Sequence, residues 1–365
     1  MELNKILQDI KVVELASVLA GPLAGSFLAE LGAEVIKIEN APSGGDVTRG
    51  WKLPEESDDF AAGAYYHSAN YGKKILMLDL KKKDDRDKLY QHTDSADVIL
   101  TNYQKHTALK LEVDIDLLRK NNPKAIVVQL NAFEYDDPRP GYDLVMQAET
   151  GYISMCGEEG ALAKMPVAMI NILAAHQIKE AILLGLMQRF RTGEGAVFHV
   201  SLYKAALSGL VNQATNYLMA GHIAKPLGTL HPNIAPYGEI LECKDGTKLM
   251  LAVGSDGQFS KLSDSLGLSR QWLARYETNL QRVVSRADLI SDIQEQALKF
   301  SGEDLIKQLD QWQIPYAKVK NMKEVLDDPQ SKTMILNNPI INRLDGKYIS
   351  NLAFTGHFFK SNESH

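Results

Sequence analysis

The side chains best suited to chemistry cluster in one stretch of this sequence. Gly141-Tyr142-Asp143 places a phenol beside a carboxylate, Cys156 precedes Gly157, and Asn171 and His176 sit in the run from Met165 to His176. Each residue type limits what it can do. A phenol is a poor general base near neutral pH unless its pKa is strongly lowered. A lone cysteine such as Cys156 is more often a small packed residue than a nucleophile. His176 lies five positions beyond Asn171, roughly 140° around an α-helix, so the two cannot face one point from a single helix. Asn171 is a neutral carboxamide, which can hydrogen-bond a carbonyl but cannot attack an acyl group as a carboxylate does. Asp143, beside Tyr142, is the most plausible carboxylate to join it. Cys156 and Cys243 are far apart and have no His or Cys at metal-ligand spacing, so neither a metal site nor a disulfide framework is expected.

The elements that must hold these residues follow from the hydrophobic period. Lys11 to Leu15 alternates as a strand, Gly21-Pro22 breaks it, and Leu23, Phe27, Leu28 and Leu31 share a helical face before Gly32 ends the helix. Glu34 to Glu39 is a second strand, which a right-handed crossover makes parallel to the first. Ile75 to Leu80, Ala96 to Leu100 and Ala125 to Leu130 add short apolar strands, with a helical stretch around Leu117 and Leu118. The mixed-charge run Lys81 to Lys88 opens a solvated helix. Alternating strands and helices predict an α/β fold with a Rossmann-like, doubly wound, open parallel sheet. Asn102 and Tyr103 then fall at the carboxyl end of a strand, where ligands of such sheets bind. The longest helix is expected from about Ile172 to Phe190, just after Asn171, with Leu173, Ile178, Ala181, Ile182 and Leu186 in its apolar stripe.

The Pro- and Gly-rich stretch Lys225 to Gly238 marks a boundary near residue 225. It divides the chain into a large α/β domain over 1–224, a smaller α+β domain over 225–325, and a segment over 326–365 that returns to the large domain. In the smaller domain a hairpin is expected around Asp245-Gly246, helices from Gln258 to Leu309, and a strand at Tyr316 to Val319; short strands and loop follow from Ile340. The 365 residues are 45% apolar, enough for a substantial core. Lys and Arg total 40 against 46 Asp and Glu, which offers no general basic field and argues against a nucleic-acid partner. Glu14 and Glu30 interrupt the apolar run Val12 to Ala33, which reads as folded core rather than a secretory leader. No uninterrupted apolar run approaches membrane-spanning length, so no membrane partner is expected, and sparse cysteine fits a reducing cytoplasm.

Short motifs add a further signal. Val13–Pro22, Leu28–Glu39 and Gly45–Arg49 open the chain; Asn70–Lys74, Leu78–Lys81, Thr101–Tyr103, Arg139–Asp143 and Arg189–Gly195 follow; His231–Tyr237, Asp245-Gly246 and Val325–Gln330 come last. In this order, over nearly the whole chain, they resemble the family III CoA-transferases, the group of formyl-CoA transferase, carnitine CoA-transferase and α-methylacyl-CoA racemase. The resemblance implies a large α/β domain built from both ends of the chain, an inserted smaller domain, and two ring-like subunits interlocked as a homodimer. It also implies a reaction that moves CoA from an acyl-CoA to a free carboxylic acid. An aspartate attacks the thioester, forms a mixed anhydride, and passes through an aspartyl-CoA thioester. Coenzyme A and acyl-CoA are then substrates, and no permanently bound cofactor is expected.

By position, the resemblance implies that Leu19 and Ala20 make backbone contacts near the thioester, with Gly21 and Pro22 holding their turn. Lys81, Asn102, Tyr103 and Lys110 match contacts to the nucleotide part of CoA, Lys110 being the favoured phosphate contact, and Leu78 and Asn40 join the cofactor-binding set. Asn40 stands where formyl-CoA transferase has a cation, so that contact is weakened or lost. Tyr142 stands where the racemase branch has a proton-abstracting histidine; it disfavours racemisation and fits the transferase branch, lining the thioester site. Asn171 stands where the family has its nucleophilic aspartate, and the helix aligns back from Thr192-Gly193 without a gap. Loss of a covalent nucleophile costs other enzymes about 10⁴ to 10⁶ in rate. Asn171 therefore marks either a shape-preserving substitution in a CoA-transferase, or a diverged homologue that binds acyl-CoA without transferring it or uses different chemistry. A racemase-like enzyme is a further alternative. The loops Trp51 to Phe60 and Leu227 to Pro236 are expected to choose the acyl group.

Overall fold

A computed structural model of the chain describes residues 2–337 and 346–356. It divides into two compact units: one of the residues up to Ile153, Lys164–Ala224 and the described residues from Gln330 onward, the other of Ser154–Ala163 and Lys225–Pro329. The strip Ser154–Ala163, which the sequence places in the large domain, groups with the second unit, and the second unit runs to Pro329 rather than residue 325.

In the first unit β1 (Lys11–Leu15), β2 (Glu34–Asn40), β3 (Lys74–Leu78), β4 (Val98–Thr101), β5 (Ile126–Asn131) and β6 (Ala196–Ser201) form one sheet. Their order is β3-β2-β1-β4-β5-β6, and every neighbouring pair is parallel. Parallel strands buried on both faces need apolar residues at nearly every position, which is why these segments read as continuous runs. On one face Val12, Val98, Leu100, Ile126 and Val128 pack with Phe27 and Leu28 of α1 (Ala20–Glu30) and with Ala174, Ile178 and Ile182. On the other, Val13, Leu15, Ile38, Ile99 and Val127 meet Leu89 and Leu118.

Four more helices complete what the site needs: α2 (Asp143–Glu149), α3 (Met169–Thr192), α4 (Leu202–Gly209) and α5 (Val211–Ala220). Helix α3 lies close on the sheet because Gly185 has no Cβ; one would come within 2.6 Å of Ile126 Cγ2. By length and composition α3 could cross a membrane, yet half of its apolar window is buried inside the protein, so it is a core helix here. It begins at Met169, earlier than its apolar stripe suggests, and so takes Asn171 into its first turn.

The second unit holds an antiparallel sheet of β7 (Tyr237–Glu242), β8 (Lys248–Ala252) and β9 (Tyr316–Lys318), in the order β9-β8-β7. Phe259, Leu262, Leu289, Ile293, Leu305 and Leu309 from its helices cover Leu241, Leu249 and Leu251. The segment expected as strand and loop from Ile340 lies partly outside the described residues. Of it, Lys347–Ile349 pairs antiparallel with Ile335–Asn337, and the Asn351 N–H donates to Glu30 Oε1 at 2.9 Å, within the first unit.

Candidate active site

The strand order reverses between β1 and β4, so the loops leaving their carboxyl ends part and open a crevice. Ser17 and Val18 follow β1, and Asn102 and Tyr103 follow β4. A cleft of about 290 Å³ opens between them, with Ala20, Arg139, Tyr142 and Asn171 also in its wall. A second cavity of about 230 Å³ shares Ser17, Asn102 and Tyr103 and continues along Asn40, Gly45 and Asp46.

Asn171 is 8% exposed and belongs to the first turn of α3, whose amides lack partners within the helix. Ala168, at the cap position, has no side chain to offer. Asp143 supplies the acceptor instead: its Oδ1 receives the Asn171 N–H at 2.9 Å and lies 3.4 Å from Asn171 Nδ2. Gln147 fixes the other oxygen, donating from Nε2 to Asp143 Oδ2 at 2.5 Å, and accepts the Met165 N–H at 2.8 Å. Asp143 thus serves as a remote helix cap, favoured by the helix dipole, and is not itself part of the cleft wall. His176 lies outside the wall, as its angular offset requires; the part of its ring shielded from solvent and the nearby Lys179 hold its pKa below the usual histidine range.

Behind the turn after β1 lies a row of buried charges. Asp46 accepts from Lys37 Nζ at 2.8 Å, Lys37 lies 3.4 Å from Glu14, and Glu14 lies 2.8 Å from Lys73. Gly25 leaves room for Glu14, since a Cβ there would sit 1.9 Å from Glu14 Oε2. Burial alone would raise the Asp46 pKa; the Lys37 charge and hydrogen bonds from Lys37 and Thr48 overcome it and hold the carboxyl below its usual range. Burial pushes Lys73 down to about 7, with Glu14 opposing the shift. In the same way Arg49 and Tyr66 outweigh burial at Glu39 and keep its pKa low.

The structure gathers Ala20, Asn102, Tyr103, Tyr142 and Asn171 around the first cleft, and Asn40 with Asn102 and Tyr103 around the second. Leu19 is the residue before α1, beside Ala20 but outside the wall. Leu78 is 1% exposed and packs in the core, while Lys81 and Lys110 are exposed and line neither cavity. Asn40 donates to Ser43 Oγ at 2.8 Å, a turn contact in place of a cation. Tyr142 is 61% exposed and presents its ring at the mouth. Sequence reasoning overlooked Ser17, Val18, Asp46 and Arg139 as individual wall residues, although all four lie inside quoted motifs. Arg139 is the one cation among the described lining residues of the first cleft; it donates from Nη2 to Asp137 Oδ2 at 2.7 Å and stacks 3.7 Å above the Phe133 ring.

Comparison with known proteins places this geometry. The family model described as CoA-transferase family III matches residues 7–358. A succinate–glutarate CoA-transferase of Agrobacterium fabrum is 37% identical over 334 residues, covering 89% of this chain and 82% of that protein. The human succinyl-CoA:glutarate CoA-transferase is 30% identical over 360 residues, covering 96% and 79%. A crystal structure of a CaiB/BaiF family protein from Brucella suis superimposes with a TM-score of 0.82 at 34% identity, over 95% of this chain and 92% of that one. This chain belongs to CoA-transferase family III.

Proposed function

We propose that the cleft takes the thioester of a dicarboxylic acyl-CoA, of the succinyl type, and that its scaffold moves CoA to a second diacid such as glutarate. Asn171 holds that site in a form that binds the thioester and turns it over poorly. The observation that carries this reading is the placement of Asn171, buried in the first turn of α3 and facing the crevice where the strand order reverses. The relatives that act on succinate and glutarate support the substrate class. Arg139 is the cation of the cleft wall, but Asp137, which lines the same cleft, already holds its Nε and Nη2, so a distal carboxylate would have to share or displace that pair.

A carboxylate at this position would attack the thioester carbonyl, expel CoA as thiolate and leave a mixed anhydride. The thiolate would then attack the aspartyl carbonyl, release the donor acid and leave an aspartyl-CoA thioester. The acceptor carboxylate attacks that thioester and expels the thiolate again, which takes the acyl group from the second anhydride and regenerates the carboxylate. A neutral amide cannot begin the sequence. No histidine is among the described residues of the first cleft wall, and Tyr142 occupies the neighbouring position, so α-proton exchange is disfavoured.

Asn171→Asp tests the reading. CoA exchange between succinyl-CoA and glutarate should rise by about 10⁴ or more over the unchanged chain. Because Asp143 Oδ1 already lies 3.4 Å from the side-chain nitrogen, the new carboxylate would have a neighbour of like charge. That repulsion raises the pKa of the new carboxyl, so the gained rate should climb with pH through the acid range. Full exchange by the unchanged chain, or no gain in the variant across a panel of diacids, would defeat the proposal.

We further propose a homodimer. Its support is the large apolar side chains left exposed on the first unit, among them Phe190 at 95%, Leu218 at 80% and Met219 at 84%. Light scattering that returned the mass of one chain at micromolar concentration would exclude it.

A further inference from the structure

Val18 is the residue in this site whose backbone cannot be explained by its own chemistry. Its φ is 72°, in the left-handed region, which is rare for any residue with a Cβ and a true outlier for a β-branched one. Such a conformation persists only where the surroundings over-determine it. Here they do so from three sides. The Val18 N–H donates to Asp46 Oδ2 at 3.1 Å. Ser17 is held at both ends of its peptide units by Asn102, whose Oδ1 accepts the Ser17 N–H at 3.3 Å and whose Nδ2 donates to Ser17 O at 3.1 Å. Lys73 Nζ donates to Pro22 O at 2.7 Å, which ties down the first turn of α1. Asp46 is itself fixed, being 5% exposed and accepting from Lys37, from the Thr48 N–H at 3.0 Å and from Thr48 Oγ1 at 2.8 Å.

We propose that Asp46 is a positioning residue for the transfer reaction, holding Val18 left-handed so that the chain turns from β1 into α1 with Ser17, Val18 and Ala20 already forming the cleft wall. This rests on the reading that the cleft takes an acyl-CoA. The row Asp46, Lys37, Glu14 and Lys73 grips the turn at both ends, through Val18 on one side and Pro22 on the other. A turn set before the ligand arrives costs the ligand nothing to order. If the turn relaxes, affinity falls by the fraction of molecules that still hold it.

The test is a double-mutant cycle read by calorimetry with succinyl-CoA. Asp46→Asn should weaken binding by about tenfold or more, because an amide offers one acceptor oxygen and no charge to Lys37. Val18→Gly alone loses one side chain of the cleft wall and sets the reference affinity for the cycle, since glycine adopts this φ without strain. Combined with Asp46→Asn, it should recover at least about fivefold of the loss. A purely structural role for Asp46 predicts no such recovery, and equal affinities in Asp46→Asn and the unchanged chain, or no recovery in the double variant, would overturn the inference. Should Asp46→Asn fail to fold, hydrogen exchange in the unchanged chain decides the point. The Val18 amide should be protected before succinyl-CoA is added and little changed afterwards, whereas rapid exchange that slows only on binding would refute a preset turn. Failure of the unchanged chain to bind succinyl-CoA at all would fall on the proposed function, while the exchange experiment would still judge the turn.

Discussion

The two units lean on different partners when they bury charge. In the first, Asp46, Lys37, Glu14 and Lys73 alternate in sign, each answering its neighbour. In the second, Arg282 is 2% exposed and spends most of its donors on backbone: Nε on Ala235 O at 2.8 Å, and Nη1 on Tyr276 O and Glu277 O, each at 3.0 Å, with Nη2 left for Asp256. Arg286 does the same for His231 O at 2.7 Å and Ile234 O at 2.5 Å. The difference follows from the backbone each must serve. Strands satisfy their own peptide groups, so Glu14 on β1 and Lys37 on β2 can find compensation only in other charged or polar side chains. The irregular segment 231–235 has carbonyls without ladder partners, and a guanidinium with five fixed donors suits them. One device is therefore sensitive to protonation and the other to geometry.

The contrast is sharpest when one cation is removed from each. Lys37→Met should destabilise the chain by about 3–5 kcal/mol at pH 7, leaving Asp46 and Glu14 buried with less compensation. In the intact protein the Asp46 pKa is depressed, so its stabilising contribution is present above the ordinary value of 3.8 and lost as pH falls through the folded value. In the variant, burial goes unopposed by Lys37 and raises that pKa, which reverses the sign of the dependence. The loss caused by Lys37→Met should therefore shrink between pH 7 and pH 4, as read by urea unfolding. Arg282→Met should cost somewhat less, about 2–4 kcal/mol, since it strands neutral carbonyls rather than anions. Its pair with Asp256 adds little, because the Asp256 side chain is 68% exposed. Its cost should barely change over the same pH range. Parallel pH curves for the two variants would break the comparison.

The same division explains how much could be read in advance. The strands β1, β2, β4 and β5 were legible because a doubly covered parallel sheet demands unbroken apolar runs, and Val12-Val13 or Ile126-Val127-Val128 supply them. Asn171 stood out through the motif around it. The start of α3 did not, because Ala168 gives no capping signal and the cap comes from Asp143, 28 residues earlier in the chain. Val18 was the least legible, since a β-branched residue is the last type a pattern would assign to a left-handed turn. That conformation belongs to Asp46 and Asn102, which reach it only once the sheet has formed. Lys81 and Lys110 carry motif positions that imply a ligand contact, and both lie outside the walls of the two clefts.

The smallest effect probes the weak point of the arginine clamp. Glu239 is 2% exposed, and its Oε1 lies 3.4 Å from Arg286 Nε without the geometry of a hydrogen bond, so both carboxylate oxygens remain unsatisfied. Burial raises its pKa above the ordinary 4.5, and its own backbone amide and the Arg286 charge only partly oppose this. A carboxyl whose folded pKa is raised contributes its full stability below the unfolded value and loses it as pH rises through the folded one. Glu239→Gln removes a charge that folding keeps at a cost. It should therefore stabilise the second unit by about 1 kcal/mol at pH 7, with the gain fading as pH falls toward 4. Thermal unfolding at the two pH values measures it. A loss of stability at pH 7 would mean that Glu239 and Arg286 form a working ion pair, and the two units would then bury charge on the same principle.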